Sequence, residues 1–215
     1  MQCMNRRDFI AASAMALAPA GFALAAQPAP ATILVLGDSM SAEYGLARGS
    51  GWVALLEQRL HQQQPGARVV NASISGDTSA GGRARLGALL AQHKPTHVIL
   101  ELGGNDALRG LPLKNTEDNL AAMAAQARQA GARVLLVGMQ VPPNYGSDYA
   151  RRFAALFASV AQAQHAALVP FLLKGVADGA APTRLFQPDR IHPTAQAQPI
   201  MLDNVWPALK KLLSN

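Results

Sequence analysis

Five short apolar runs, at 32–36, 68–71, 97–102, 133–139 and 168–173, punctuate the chain. Each is rich in branched residues and apolar on both alternations, the pattern of parallel strands covered on both faces rather than of half-exposed ones. Between them, apolar positions recur at helical spacing over residues 52–63, 82–92, 116–130, 149–165 and about 194–213, with Gly131 as the C-terminal stop of the third segment. Strand and helix therefore alternate. That order predicts one α/β domain, a three-layer α/β/α sandwich of about five parallel strands joined by right-handed crossovers.

Residues 1–26 break the pattern. Arg6 and Arg7 precede an alanine-rich apolar stretch that ends in the small-x-small sequence Ala23-Leu24-Ala25, which predicts an export signal cleaved near Ala25 or Ala26. The arginine pair followed by Asp8, Phe9 and Ile10 resembles a twin-arginine signal, and Pro19 and Gly21 interrupt a stretch that would otherwise read as an anchor. Residues 27–31 read as a linker and 32–215 as the mature domain, placed in the periplasm or outside the cell. Cys3 is the one cysteine of the chain and lies in the signal. The mature protein is thus expected to use no disulfide, thiolate metal site or cysteine nucleophile.

The formal charge is +6, or +5 once Arg6, Arg7 and Asp8 are removed. Arg83, Arg109, Arg133, Arg151 and Lys210 are scattered and not interleaved with aromatics, so the charge reads as a solvated surface and not as a nucleic-acid site. His61, His93 and His165 fall on helical segments and His97 opens a strand, none at metal-ligand spacing, so neither metal nor cofactor is expected. Residues 76–83 are glycine-rich but lack the lysine of a nucleotide-binding loop, and no G-x-S-x-G elbow is present.

In parallel sheets, ligands bind beyond the carboxyl ends of the strands. The first strand runs into Gly37-Asp38-Ser39-Met40-Ser41, the second toward Gly76-Asp77-Thr78, the third into Gly103-Gly104-Asn105-Asp106, and the last leads through a loop to Asp189-Arg190-Ile191-His192-Pro193. All four segments are expected on one rim. By itself Ser39 is either a turn residue or a nucleophile. A serine needs a base, and the base a partner that fixes its tautomer. Ser39, His192 and Asp189 supply the three types, and the Asp-x-x-His spacing sets both partners on one turn. The N–H groups of Ser39 and Gly76 and the amide of Asn105 are candidate donors to a developing oxyanion. Asp38, Asp77 and Asp106 read as structural carboxylates.

These blocks, GDSM, NASISGDTS, ELGGNDALRG and DRIHP, resemble those of the SGNH, or GDSL, hydrolases, and with PxNYG and IHPxxxAQP they are most similar to the bacterial periplasmic thioesterase/lysophospholipase/arylesterase branch. The resemblance covers nearly the whole mature chain. It implies a flavodoxin-like sheet, Ser39 as nucleophile, His192 as base with Asp189, and an oxyanion hole of Ser39, Gly76 and Asn105. It also implies substrate contacts at Ala107, Leu108, Arg109, Val141 and Pro142. Met40 replaces the leucine of the motif, a volume-conserving change, and Ala107 stands where glycine is expected. The implied activity is cofactor-independent hydrolysis of carboxylic esters and thioesters: aryl or short-to-medium acyl esters, with lysophospholipids among them. Two alternatives stay open, a carbohydrate acetylesterase and a non-catalytic binding module. A small-molecule ester, transient contact with membrane lipids and a monomeric state are the expected associations.

Overall fold

Branched side chains that are apolar on both alternations need cover on both sides, and the chain supplies it by sending its crossovers to opposite faces of one parallel sheet. The computed structural model describes residues 30–214 apart from 180 and 182. The expected export signal and the start of the linker lie outside the described residues. The strands are β1 (Thr32–Gly37), β2 (Arg68–Asn71), β3 (His97–Glu101), β4 (Arg133–Val137) and β5 (Ala167–Val169). The helices are α1 (Trp52–Gln63), α2 (Ser79–His93), α3 (Gly104–Leu108), α4 (Leu113–Gln129), α5 (Ser147–Ala163) and α6 (Gln198–Leu213). The sheet order is β2-β1-β3-β4-β5, all parallel. Helices α1 and α6 pack together on one face, and α2, α4 and α5 on the other. Leu34, Leu36, Ile99 and Leu100 are fully buried between these layers. No helix among the described residues is long and apolar enough to cross a membrane.

The order reverses between β1 and β3, which creates a crevice at the carboxyl ends of those two strands. Gly37 and Glu101 face each other there in register, so the loops that follow β1 and β3 leave the sheet side by side.

Some boundaries differ from the sequence expectation. β4 stops at Val137 and β5 at Val169, although apolar residues continue in both. Pro170 has no N–H to extend a ladder, and Gly138 turns against it so closely that a Cβ at 138 would lie 2.5 Å from the Pro170 carbonyl oxygen. α2 begins at Ser79, capped by Thr78 Oγ1, which accepts from the Gly81 N–H at 3.2 Å. One of its glycines marks where the helix presses on the sheet: a Cβ at Gly82 would meet Leu102 Cδ1 at 2.3 Å. The short α3, read as loop in the sequence, starts after Gly103, whose φ of 115° only glycine adopts readily. His165 lies past the end of α5 in the left-handed region, and a 3₁₀ turn (Ala195–Ala197) precedes α6.

Candidate active site

Ser39 sits at the first turn after β1. The turn is closed by the Ser41 and Ala42 N–H groups, which donate to the Asp38 carbonyl at 3.2 and 3.0 Å. It is also fastened from below: Ser41 Oγ donates to Glu101 Oε2 at 2.7 Å, and Asn71 Nδ2 donates to the Ser41 carbonyl at 2.7 Å. β2 and β3 thus both hold the loop that carries the hydroxyl.

His192 arrives from a loop pinned at both ends. The Gln187 N–H donates to the His192 carbonyl at 2.7 Å, and Thr194 N–H donates to the Leu185 carbonyl at 2.8 Å. Within the turn, Asp189 Oδ1 accepts from the N–H groups of Ile191 (2.9 Å) and His192 (3.0 Å), while Oδ2 lies 2.7 Å from His192 Nδ1. Bonds from the backbone and ring of His192 hold the Asp189 carboxyl down at about 2, so it is an anion across the working range. An anion can only accept. Nδ1 therefore carries the proton, and Nε2 is left as the acceptor facing Ser39 Oγ at 2.9 Å. The Tyr44 ring leans on the imidazole with centroids 4.2 Å apart, and Gln187 Nε2 ties the Tyr44 carbonyl (2.9 Å) to that of Pro193 (3.1 Å).

Asn105, in the first turn of α3, donates from Nδ2 to Asp38 Oδ2 at 2.9 Å. Gly76 has a φ of 80°. The N–H groups of Ser39 and Gly76 have no hydrogen-bond acceptor among the described residues. Two buried carboxyls lie behind this row of donors. Burial pushes Asp38 up to about 6, against the opposing effects of the Met40 N–H, the Asn105 amide and His192. Glu101 is wholly buried and raised well above the ordinary range, first by burial and then by the Asp38 charge.

Ser39, Gly76, Asn105 and His192 open on one cavity of about 390 Å³, walled by Met40, Tyr44, Leu108, Met139 and Ile191. A groove of about 300 Å³ between α4 and α5 is lined by Leu113, Lys114, Glu117, Arg152 and Ser159 and has no comparable convergence of groups. Of the expected substrate contacts, Leu108 lines the cavity. Ala107 does not: the residue is 2% exposed and packs into the core, because α3 turns that face inward. Arg109 stands at the rim, where Nη2 donates to the Gly76 carbonyl at 2.7 Å. Val141 and Pro142 are outside the lining. Asp77 pairs with Arg85, and Asp106 accepts from Ser79 and Thr116, the structural roles expected of both.

Tyr44, Met139, Ile191 and Glu101 were not singled out by the sequence. For Glu101 a signal existed, a carboxylate ending an otherwise apolar strand. The walls gave none, since loop aromatics and aliphatics meet only in the fold. Chemically, the arrangement offers a hydroxyl, an acceptor nitrogen held in one tautomer, and donors converging on the same space, the parts needed for acyl transfer.

Residues 35–199 match the model of the GDSL-like lipase/acylhydrolase family. Esterase TesA of Pseudomonas aeruginosa is 54% identical over 190 residues, covering 88% of this chain and 93% of that protein. Thioesterase 1/protease 1/lysophospholipase L1 of Escherichia coli K12 is 41% identical over 184 residues, 86% of each chain. The crystal structure of the psychrotrophic esterase EstA from Pseudoalteromonas sp., inhibited by monoethylphosphonate, aligns with a TM-score of 0.79 at 42% identity, covering 86% of this chain and 99% of EstA.

Proposed function

The chain belongs to the GDSL-like lipase/acylhydrolase family and is a serine esterase/thioesterase, and from that premise we propose that Ser39 is its nucleophile, His192 the base and Asp189 the base's partner. The observation that carries this reading is the relay of 2.9 Å from Ser39 Oγ to Nε2 and 2.7 Å from Nδ1 to Asp189. Nε2 takes the hydroxyl proton as Oγ attacks the acyl carbon, and the imidazolium that forms is stabilised by the Asp189 anion. The carbonyl oxygen becomes an oxyanion, received by the N–H groups of Ser39 and Gly76 and by the Asn105 amide. The alcohol or thiol leaves with the proton from Nε2. Water then repeats the sequence on the acyl-enzyme, and the acid is released.

The apolar walls and the open mouth favour aryl esters and short-to-medium acyl esters and thioesters, with lysophospholipids within reach. Tyr44, Leu108 and Ile191 stand 50%, 50% and 41% exposed around the mouth, which suits transient contact with lipid as a monomer; co-sedimentation with vesicles checks it. The N-terminal arginine pair and apolar stretch support export, read out by the N-terminal sequence of protein recovered from the periplasm.

The deciding experiment is labelling by a fluorophosphonate. Ser39→Ala should lose both label and turnover while its circular dichroism and melting temperature stay near those of the unaltered protein. Turnover retained in Ser39→Ala would move the nucleophile elsewhere.

A further inference from the structure

We propose that Met40 is a site of reversible oxidation: peroxide converts its thioether to a sulfoxide in the wall of the substrate cavity, which lowers turnover of apolar esters, and reduction of the sulfoxide restores it. The proposal rests on the reading of this cavity as the ester site.

The oxidisable sulfur of the domain is thioether sulfur, because Cys3 is the one cysteine of the chain and lies ahead of the described residues. The methionines among the described residues are Met40, Met123, Met139 and Met201. Met123 and Met201 are fully buried and Met139 is 6% exposed, whereas Met40 is partly exposed. An oxidant dissolved in water therefore meets Met40 first.

Met40 follows Ser39 directly and lines the same cavity of about 390 Å³ as Ser39, Gly76, Asn105 and His192. Its side chain also packs against the core, and its N–H donates to Asp38 Oδ1 at 3.0 Å. The thioether is thus held between core and cavity at the foot of the nucleophile turn. Met139 lines the same wall from the loop after β4 and is the internal comparison, a methionine in the same cavity with less exposure. Leucine, which the resembled motif has at position 40, holds no sulfur, so the sensitivity belongs to this chain's methionine.

One equivalent of peroxide balances the step. The thioether sulfur attacks a peroxide oxygen, and an S–O bond forms as the O–O bond breaks. The sulfur-bound hydroxyl passes its proton to the departing hydroxide, which leaves as water. Sulfur loses two electrons and peroxide gains them. The product is a polar, chiral sulfoxide in place of an apolar thioether. A wall that matched an acyl or aryl group now presents a hydrated acceptor, and its water must be stripped before apolar surface can lie against it.

The test treats the full chain with hydrogen peroxide and measures kcat and KM on a p-nitrophenyl acyl ester, with peptide mass mapping and fluorophosphonate labelling of the same samples. Each protein is compared with its own activity before treatment. The unaltered protein should lose kcat/KM ~5–150-fold, chiefly through KM, in step with the gain of one oxygen at Met40. Labelling by excess fluorophosphonate should still reach completion, since Ser39, His192 and Asp189 are untouched. Methionine sulfoxide reductases A and B should return the activity. Met139→Leu should be inactivated like the unaltered protein, whereas Met40→Leu, a volume-conserving change, should keep at least about half of its activity. Cys3 is common to all three proteins and cancels. Equal inactivation of Met40→Leu, or a Met40 sulfoxide that leaves kcat/KM within about twofold, would overturn the proposal and leave Ser39 as the nucleophile. Loss of the label along with turnover would place the damage in the relay and overturn it too. Turnover retained by Ser39→Ala would instead remove the reading of the cavity, and the proposal with it.

Discussion

Asp189→Asn and Asp189→Ala should rank in an order opposite to their conservatism. In the native turn Oδ1 accepts two backbone N–H groups, at 2.9 and 3.0 Å, and Oδ2 takes the Nδ1 proton at 2.7 Å. Asparagine can keep the backbone bonds with its carbonyl oxygen, so the turn survives. Its NH₂ then faces Nδ1, which must become an acceptor, and the ring proton moves to Nε2. Nε2 can no longer accept from Ser39. The tautomer penalty for such a change is ~10⁴ in kcat, or about 5.5 kcal/mol of barrier. Alanine removes the turn's acceptors but imposes no tautomer. At the imidazole it forfeits one charge-assisted bond worth roughly 1.5–3 kcal/mol, which corresponds to about a 10- to 150-fold loss in rate. Initial rates on a p-nitrophenyl ester at neutral pH, with thermal melts for both proteins, separate the two. Asparagine should be the slower enzyme and the better-folded loop. If Asp189→Asn turns over as fast as Asp189→Ala or faster, Nδ1 does not depend on Asp189 for its proton and the relay reasoning fails.

Two further outcomes follow from the buried carboxyls and the cavity wall. Glu101 has a raised folded pKa, so between its unfolded value of ~4.3 and that higher value the native state holds a proton the unfolded chain has released, and stability falls as pH rises. Glu101→Gln removes that contribution, so its melting temperature relative to the unaltered protein should climb as pH rises above about 5; a constant difference would mean that folding does not raise the Glu101 pKa. Tyr44→Ala should lower kcat/KM for aryl esters by ~2–12-fold, the equivalent of one aromatic pair at roughly 0.5–1.5 kcal/mol, and alkyl esters of the same acyl chain by less than about twofold. Equal losses on both would confine Tyr44 to supporting His192.

What could be read from the sequence was whatever left a mark on residue type at a strand end. The runs at 32–36 and 68–71 became strands almost as expected because polar or turn residues close them. The later runs overreach, since Met139 and Phe171–Leu173 stay apolar after the ladder has ended; Pro170 and the close approach at Gly138 end it, and hydropathy does not register either. The GGND stretch hid a helix because five residues give no period to detect. Ser39, Asn105, Asp189 and His192 stood out because each is a polar group of a type that acyl transfer needs, set in a segment beyond a strand end. Ala107 did not fit its expected place, since one residue's rotation on a short helix decides between cavity and core. The link from Asp38 to Asn105 joins residues distant in the chain, and no local pattern encodes it.

Ser39 Oγ and the His192 Nε2 that faces it are 153 residues apart, and the helix after the His192 turn, α6, lies against α1, with Gln198 Oε1 taking the Trp52 N–H at 3.0 Å and Arg59 meeting Asp203 at 2.9 Å. A nascent chain that has emerged only as far as β5 therefore carries Ser39 without the imidazole that faces it. With the roles proposed for Ser39 and His192, turnover is a direct gauge of whether both ends of the polypeptide have come together.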